Sequence, residues 1–326
     1  MLKLILSRLV QGIFVLLIVS MLVFALLAAA GGDALTGISS DPLVSEETVR
    51  SLRRIYGLDQ PLVVRYARWL GLAVRGQLGQ SFFYQAPVWT IIRPRLTNTL
   101  TLAGLSLIIA WTIALILGAL AARRPRGWAD RLSELVILLA SSTPRIVLAL
   151  VALAFTARSS LFATGGATPG TESAAVSFAH LLLPSIVLAV PLVALFLAQT
   201  RDGLRQALKE EFVQVARAKG LPERVVVMRH ALRAALNPLI TIFGYSLGGV
   251  MSGSVIVETV LGWPGLGQLS VVAVRSRDVP LLMGVVLVTA TAVLIGNALA
   301  DFLLHLNDPR LRRESQAKGA AATRTV

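Results

Sequence analysis

The chain has 326 residues, of which 55% are hydrophobic and only 15% charged, where soluble domains carry about a quarter charged residues. That balance excludes an ordinary soluble globular protein and points to a chain that buries most of its surface in lipid. The net charge of +14 sits in short segments between apolar runs, as in basic loops of membrane proteins rather than a nucleic-acid-binding face, and the lack of cysteine excludes disulfides, thiol catalysis and thiolate metal sites.

Six apolar runs reach the roughly 20 residues a helix needs to cross the hydrocarbon core: 9–30, 100–122, 135–157, 179–199, 239–260 and 281–300. Ala28, Ala29 and Ala30 resemble a signal cleavage site, but the first run exceeds the roughly 7–15 residues of a signal's apolar region and reads as an uncleaved anchor. The expectation is an all-α membrane protein with six transmembrane helices. Residues 1–30 are a cytoplasmic N-terminus and first crossing, and 31–97 a long external segment. Residues 98–306 form the core, with a loop at 201–238, and 307–326 a partly disordered cytoplasmic tail.

Within the external segment, Ser45 can cap a helix whose first turn holds Glu46 and Glu47, and Gly57 can end it. Pro61 sits where a second helix can begin. Leu62, Tyr66, Trp69 and Ala73 then form an apolar stripe at helical spacing. The stripe reads as an amphipathic helix resting at the membrane interface, with a surface that receives a partner or closes a gate as the alternative.

Orientation follows from the loops. Arg123, Arg124, Arg126 and Arg131 follow the second run, eight Lys or Arg residues lie between Arg201 and Arg233, and Arg310, Arg312 and Arg313 follow the sixth. The loops after the third and fifth runs are poorer in basic residues. This asymmetry places both termini in the cytoplasm.

Near the centre of the third run stands Arg145, directly after Pro144. A charge there costs about 2.5–3.5 kcal/mol on insertion scales unless it finds a partner or water. Arg145 therefore either faces an aqueous path, where it would attract a carboxylate, or is a structural charge paired with Glu258 or another acid. Glu258 lies near the end of the fifth run, where side chains reach the interface cheaply, and reads as an anchor or gate contact. Gly244/Gly248 and Gly249/Gly253 on the fifth run permit close helix packing, within this chain or against a second one.

The loop between the fourth and fifth runs is the most informative segment. Phe212, Val215, Ala216 and Lys219 share one face of a first short helix. Gly220 breaks it as a C-cap, Pro222 can open a second helix, and Val225, Met228, Leu232 and Leu236 give that helix an apolar stripe. Pro238 then ends the pattern or bends it into the next run. A DNA-reading helix-turn-helix is disfavoured because the flanking runs pin both ends and nothing else can complete such a domain. A basic loop lying on lipid explains the charge but not the break between two apolar faces. Docking of a helix in a partner's groove explains both.

The stretch Val215, Ala216, Arg217, Ala218, Lys219, Gly220 and Leu221, followed by Arg229, His230 and Asn237-Pro238, resembles the coupling loop of ABC importer permeases. It is closest in kind to the B-type subunit of oligopeptide and dipeptide permeases. Gly57 to Leu62, Gly76 to Ser81, Arg95 to Leu100, Val257 to Val260, Trp263 to Gly267 and Asn307 to Arg310 resemble that family in the same order. The general importer signature, Glu-Ala-Ala then Gly after three residues, is matched only at Ala216 and Gly220, since Gln214 and Val215 stand in its first two places.

The resemblance implies that Gln214 to Leu221 dock a separate ATPase. It also implies a second permease subunit, two ATP-binding subunits or domains and an extracytoplasmic substrate-binding protein as partners, with membrane lipid around the chain and no nucleic acid. ATP and Mg would belong to the partner subunits, and no cofactor or metal to this chain. Peptide is the implied cargo, with nickel, glutathione or another small solute as alternatives. No phosphate-binding loop is present, and Gly262, Gly265 and Gly267 flank Trp263-Pro264 in a turn rather than a nucleotide motif. No catalytic constellation can be assigned, so the chain reads as a non-catalytic permease. A self-contained secondary transporter would show internal repeats and acids within its spans, and neither is evident.

Overall fold

A computed structural model of the chain describes residues 2–29, 47, 50, 51, 54, 57, 59–158 and 174–307. The regular elements are α1 (Leu2–Ala29), α2 (Leu62–Ala73), α3 (Val88–Arg123), α4 (Trp128–Ser142), α5 (Arg145–Arg158), α6 (Ala174–Ala207) and α7 (Glu211–Ala218). A single turn α8 (Glu223–Val225) continues as a π-helix (Val226–Ala231) into α9 (Leu232–Leu261), followed by α10 (Leu266–Arg275) and α11 (Val279–Asn307). Among the described residues, five helices are long and apolar enough to cross a membrane, or six if the bent pair α4–α5 is one span. The expected all-helical architecture is therefore present. Ser45, Glu46 and the tail from 308 onward lie outside the described residues.

The third span departs from the expected straight helix. α4 and α5 meet at 97°. Pro144 causes the break, because a proline disfavours helical geometry in the residue before it. Thr143 accordingly adopts φ −95°, ψ 118° and closes α4. Pro144 then starts the next helix by accepting the amides of Val147 and Leu148 at 3.0 and 3.2 Å. Arg145 is thus the first residue of α5, not the middle of an unbroken span.

The chain divides into two compact units. In the unit of residues 1–100 and 262–294, α2 packs Tyr66, Trp69 and Ala73 around Phe24 of α1 and Met283 of α11. The Tyr66 hydroxyl meets Ser20 Oγ at 2.9 Å. The amphipathic helix expected at the interface is therefore built into a helical core, with Leu62 left exposed. Its helix begins one residue later than expected, with Pro61 as the capping residue before Leu62. Gly57 has a positive φ of +64°, and most of the helix it was expected to end lies outside the described residues.

Two polar ties organise the rest of this unit. Trp263 Nε1 donates to the Asn98 carbonyl at 3.2 Å, Asn98 Nδ2 to the Pro264 carbonyl at 2.8 Å, and the Leu266 amide to Thr99 Oγ1 at 2.8 Å. The Arg95–Leu100 and Trp263–Gly267 segments, far apart in sequence, are thereby joined. The fully buried Asp278 carboxylate accepts from Ser81 Oγ at 2.5 Å and from the amides of Phe83 and Leu281 at 3.0 and 3.1 Å. It caps α11 and fixes the 79–88 turn together.

In the unit of residues 101–261 and 295–326, small residues set the helix contacts, as expected where lipid removes the hydrophobic drive between helices. A Cβ on Gly244 would lie 2.3 Å from Ala300 Cβ, and one on Gly118 2.8 Å from Thr200 Cγ2. Trp111 packs edge-on against Phe196 and Phe243. At the start of α4, Asp130 reaches back to the Arg126 amide at 2.8 Å and lies against the guanidinium groups of Arg201 and Arg205.

Asp278→Ala is expected to lower the melting temperature of the detergent-solubilised chain and to speed tryptic cleavage near Arg75, since each buried donor left without a partner costs about 1–3 kcal/mol. Asp278→Asn keeps an acceptor oxygen and should lose much less. Equal losses for the two variants would show that the clasp does not hold the turn.

Candidate functional site

The loop between α6 and α9 forms a small wedge with two distinct faces. On α7, Val213 and Ala216 turn inward and pack with Val226, Ala231 and Ala235 against Ala122 at the end of α3 and Leu204 and Ala207 at the end of α6. The inward face is therefore Val213/Ala216, whereas Phe212 and Val215, one helical turn apart, are 46% and 53% exposed. The expected face of Phe212, Val215, Ala216 and Lys219 is split: Ala216 belongs to the core, and the other three project outward. Spacing alone cannot separate two apolar faces that lie side by side on so short a helix.

The turn after α7 has the geometry that Gly220 predicts. Gly220 has φ +73°, its amide donates to Arg217 O at 2.9 Å, and the Leu221 amide reaches Ala216 O at 3.4 Å. These are the paired bonds of a Schellman cap, which require a left-handed residue that glycine supplies without steric cost. A Cβ on Gly220 would meet nothing within 4 Å, so the constraint there is backbone conformation rather than space. Gln214 donates to the Leu208 carbonyl at 3.3 Å and ties α7 to the end of α6. Ala218 and Lys219 are exposed, and Leu221 is half-exposed just past the turn.

Arg217 closes the turn from outside. Its Nη2 and Nε donate to the two Glu223 carboxylate oxygens at 2.7 and 3.2 Å, and this hydrogen-bonded carboxylate raises the Arg217 guanidinium above its ordinary pKa. Both side chains are more than a third exposed, so the pair fixes geometry more than it adds stability. The pairing across a Gly-Leu-Pro turn was open to reading from the opposite charges six residues apart, yet it is absent from the sequence expectation.

Beyond the turn, Pro222 caps α8 rather than being its first helical residue. The second stripe also differs from the expected Val225, Met228, Leu232 and Leu236. The buried residues are Val226, Val227, Ala231, Ala235 and Leu239, while Met228 is exposed. The π-helix at Val226–Ala231 is the cause. A π-turn holds one residue more than an α-turn, so the inward face advances by five residues from Val226 to Ala231 and by four thereafter. Pro238 does not end the helix and lies inside α9.

The other two candidate residues lie away from this loop. Arg145 donates Nη1 to the Gly249 carbonyl at 3.0 Å. Its guanidinium lies over Gly253, where an added Cβ would come within 1.9 Å of Nη1. Gly253 thus makes room for the arginine within this chain, while Gly249 contributes only its carbonyl, since a Cβ there would meet nothing within 4 Å. Glu258 is fully buried in the last turn of α9, and Arg145 forms no ion pair with it among the described residues. A cation at the first position of a helix opposes the helix dipole, and the Gly249 carbonyl offsets that cost.

The family described as binding-protein-dependent transport system inner membrane component matches residues 114–313. Its N-terminal companion, described as binding-protein-dependent transport system membrane component, matches residues 1–103. A putative peptide permease protein of Brucella ovis is 36% identical over 317 residues, covering 96% of this chain and 99% of that protein. The oligopeptide transport system permease protein AppB of Bacillus subtilis is 36% identical over 94% of this chain and 98% of its own length. A probable peptide ABC transporter permease protein of Sinorhizobium fredii is 33% identical over 94% of this chain and 98% of its own.

Gly253→Ala is expected to lower the melting temperature because the new methyl group displaces the Arg145 guanidinium. In the Arg145→Ala/Gly253→Ala double variant the space is vacated, so the second substitution should cost far less than it does alone. Additive losses would show that the two residues do not share the site.

Proposed function

As the chain belongs to the inner membrane components of binding-protein-dependent transport systems, we propose that it is the permease subunit of an ABC importer for peptides, driven through the loop around Gly220. The peptide cargo rests on the names carried by the relatives, which match along nearly their whole length. The drive rests on one observation in the loop. Phe212 and Val215 are exposed on a helix whose opposite face is packed onto the ends of α3 and α6. An apolar face of this kind, off the lipid-crossing spans, suits the groove of a partner protein.

In this reading the loop and both termini lie in the cytoplasm. The residues from Gln214 to Leu221, with Phe212 beside them, seat in an ATP-binding subunit that carries the ATP and Mg. Two such subunits or domains, a second permease subunit and an extracytoplasmic binding protein complete the machine. Closure of the ATPases moves the wedge, and the wedge moves the ends of α3, α6 and α9. Binding energy from ATP thereby shifts the balance between two states of the path. Nickel, glutathione or another small solute are the alternative cargoes.

Arg145 and Glu258 were both candidates for the path. The space over Gly253 and the hydrogen bond to the Gly249 carbonyl support the structural reading of Arg145, and the complete burial of Glu258 supports a packing role for it. Arg145→Gln, which keeps one donor for the Gly249 carbonyl, would then preserve cargo preference.

The docking reading is tested by co-purification and uptake. Phe212→Ser/Val215→Ser should reduce recovery of the ATP-binding subunit about tenfold or more, as expected for loss of two apolar anchors worth roughly 1.5–3 kcal/mol each, while melting of the chain alone is unchanged. Gly220→Val should abolish uptake, whereas Gly220→Asn should retain it because asparagine tolerates left-handed geometry. Undiminished recovery of the ATPase with the double serine variant would overturn the reading.

A further inference from the structure

A pocket of about 410 Å³ opens where α3 ends and α4 begins. Arg123 and Arg124 line it together with Leu120, Trp128 and Glu223. Neither of the two guanidinium groups is hydrogen-bonded to a described residue, and both are exposed. The acid on the lining, Glu223, is already engaged by both nitrogens of Arg217 at 2.7 and 3.2 Å. The lining therefore carries two cations against one carboxylate, which lies within electrostatic reach of Arg123 but is hydrogen-bonded by Arg217. Its complement is an anion with several acceptor oxygens, as in a phosphate group, which arginine binds through paired N–H donors.

The surroundings indicate how that anion arrives. Ile113, Ile116 and Leu120, spaced three and four residues apart, run along one face of α3 to the pocket and are 42%, 60% and 41% exposed. Such a stripe on a membrane-crossing helix suits an acyl chain. Trp128 stands at the opposite rim, 71% exposed, with the amphipathic ring that tryptophan places at headgroup level. An apolar track, a pair of arginines and an interfacial indole follow one another along the last three turns of α3 and the start of α4. A free phosphate would use only the arginines, and an acidic residue of a partner protein would leave the track unexplained.

We propose that this pocket is a binding site for the phosphate headgroup of an anionic phospholipid, held by Arg123 and Arg124 with an acyl chain along Ile113, Ile116 and Leu120. Through Glu223 the headgroup would sit beside the Arg217 turn of the Gly220 loop. The site itself depends only on the chain being an integral membrane protein. Its failure would leave the docking reading intact, because no residue from 212 to 221 belongs to it.

The test uses the full chain in nanodiscs of phosphatidylcholine doped with brominated phosphatidylglycerol or brominated phosphatidylcholine. The signal of Trp128 is isolated as the difference between the chain and its Trp128→Phe variant. Bromine on phosphatidylglycerol should quench Trp128 at lower doping than bromine on phosphatidylcholine, with a preference of about fivefold per arginine and so roughly 25-fold for the pair. Arg123→Gln/Arg124→Gln should remove the preference while elution and melting stay unchanged, and millimolar inorganic phosphate should not displace the lipid. Equal quenching by the two lipids would overturn the proposal. So would displacement by inorganic phosphate, which would mark a free-anion site. An arginine variant that weakens ATPase recovery but leaves the lipid preference intact would mark a protein contact and also overturn it.

Discussion

The packing of Val213 and Ala216 against the ends of α3 and α6 is the contact on which the proposed drive depends. A short helix carrying a partner's force must not slip on its own base. Two buried side chains on eight residues are a small base, and the loop strengthens it in two ways. The Schellman turn at Gly220 fixes the direction in which the chain leaves α7, and the Val226–Ala231 π-helix brings Ala231 and Ala235 into the same cluster. A π-turn stretch is also where a helix carries an extra residue and weaker geometry. The stiff wedge thus adjoins a compliant segment, and α9 continues directly from it.

Elsewhere the structure relies on polar ties where apolar burial gives little, because lipid is as apolar as a leucine side chain. Asp278 joins the 79–88 turn to α11, Asp130 joins the start of α4 to Arg201 and Arg205, and Arg145 joins α5 to the backbone of α9. Each is a buried or half-buried charge satisfied by specific partners, and each stands at a helix terminus. The free amides and positive dipole end of a helix N-terminus receive the two aspartates, whereas Arg145 opposes that dipole and is held instead by a carbonyl of α9. Glu258, fully buried in the last turn of α9, is an acid at the negative end of the helix dipole and departs from that pattern.

Much of this was legible in the sequence where one physical quantity dominated. Apolar run length identified the spans, because crossing hydrocarbon has a fixed minimum. Gly220 marked the turn, because a left-handed cap strongly favours glycine. Helical spacing found Tyr66, Trp69 and Ala73 but not what they would pack on, since an interfacial face and a buried face have the same period. The π-helix shifted the second stripe of the loop by one residue, and a period of 3.6 cannot anticipate a local period near 4.4. Pro144 was visible, yet whether it would bend or break the span depended on Thr143 becoming extended. Val213 carries no signal of its own beside the larger Phe212, although its full burial anchors the loop.

Rigidity of the wedge is the central claim, and the lack of cysteine in the chain makes it directly measurable. Spin labels on Ile116→Cys in α3 and Gln214→Cys in α7, both exposed, report the distance between the docking element and the span it is packed on. Electron–electron double resonance on the assembled transporter, with and without a non-hydrolysable ATP analogue, should give one distance that does not change as the ATPases close. A shift or a second distance on nucleotide binding would show that the loop moves independently of α3, and would contradict transmission through the wedge.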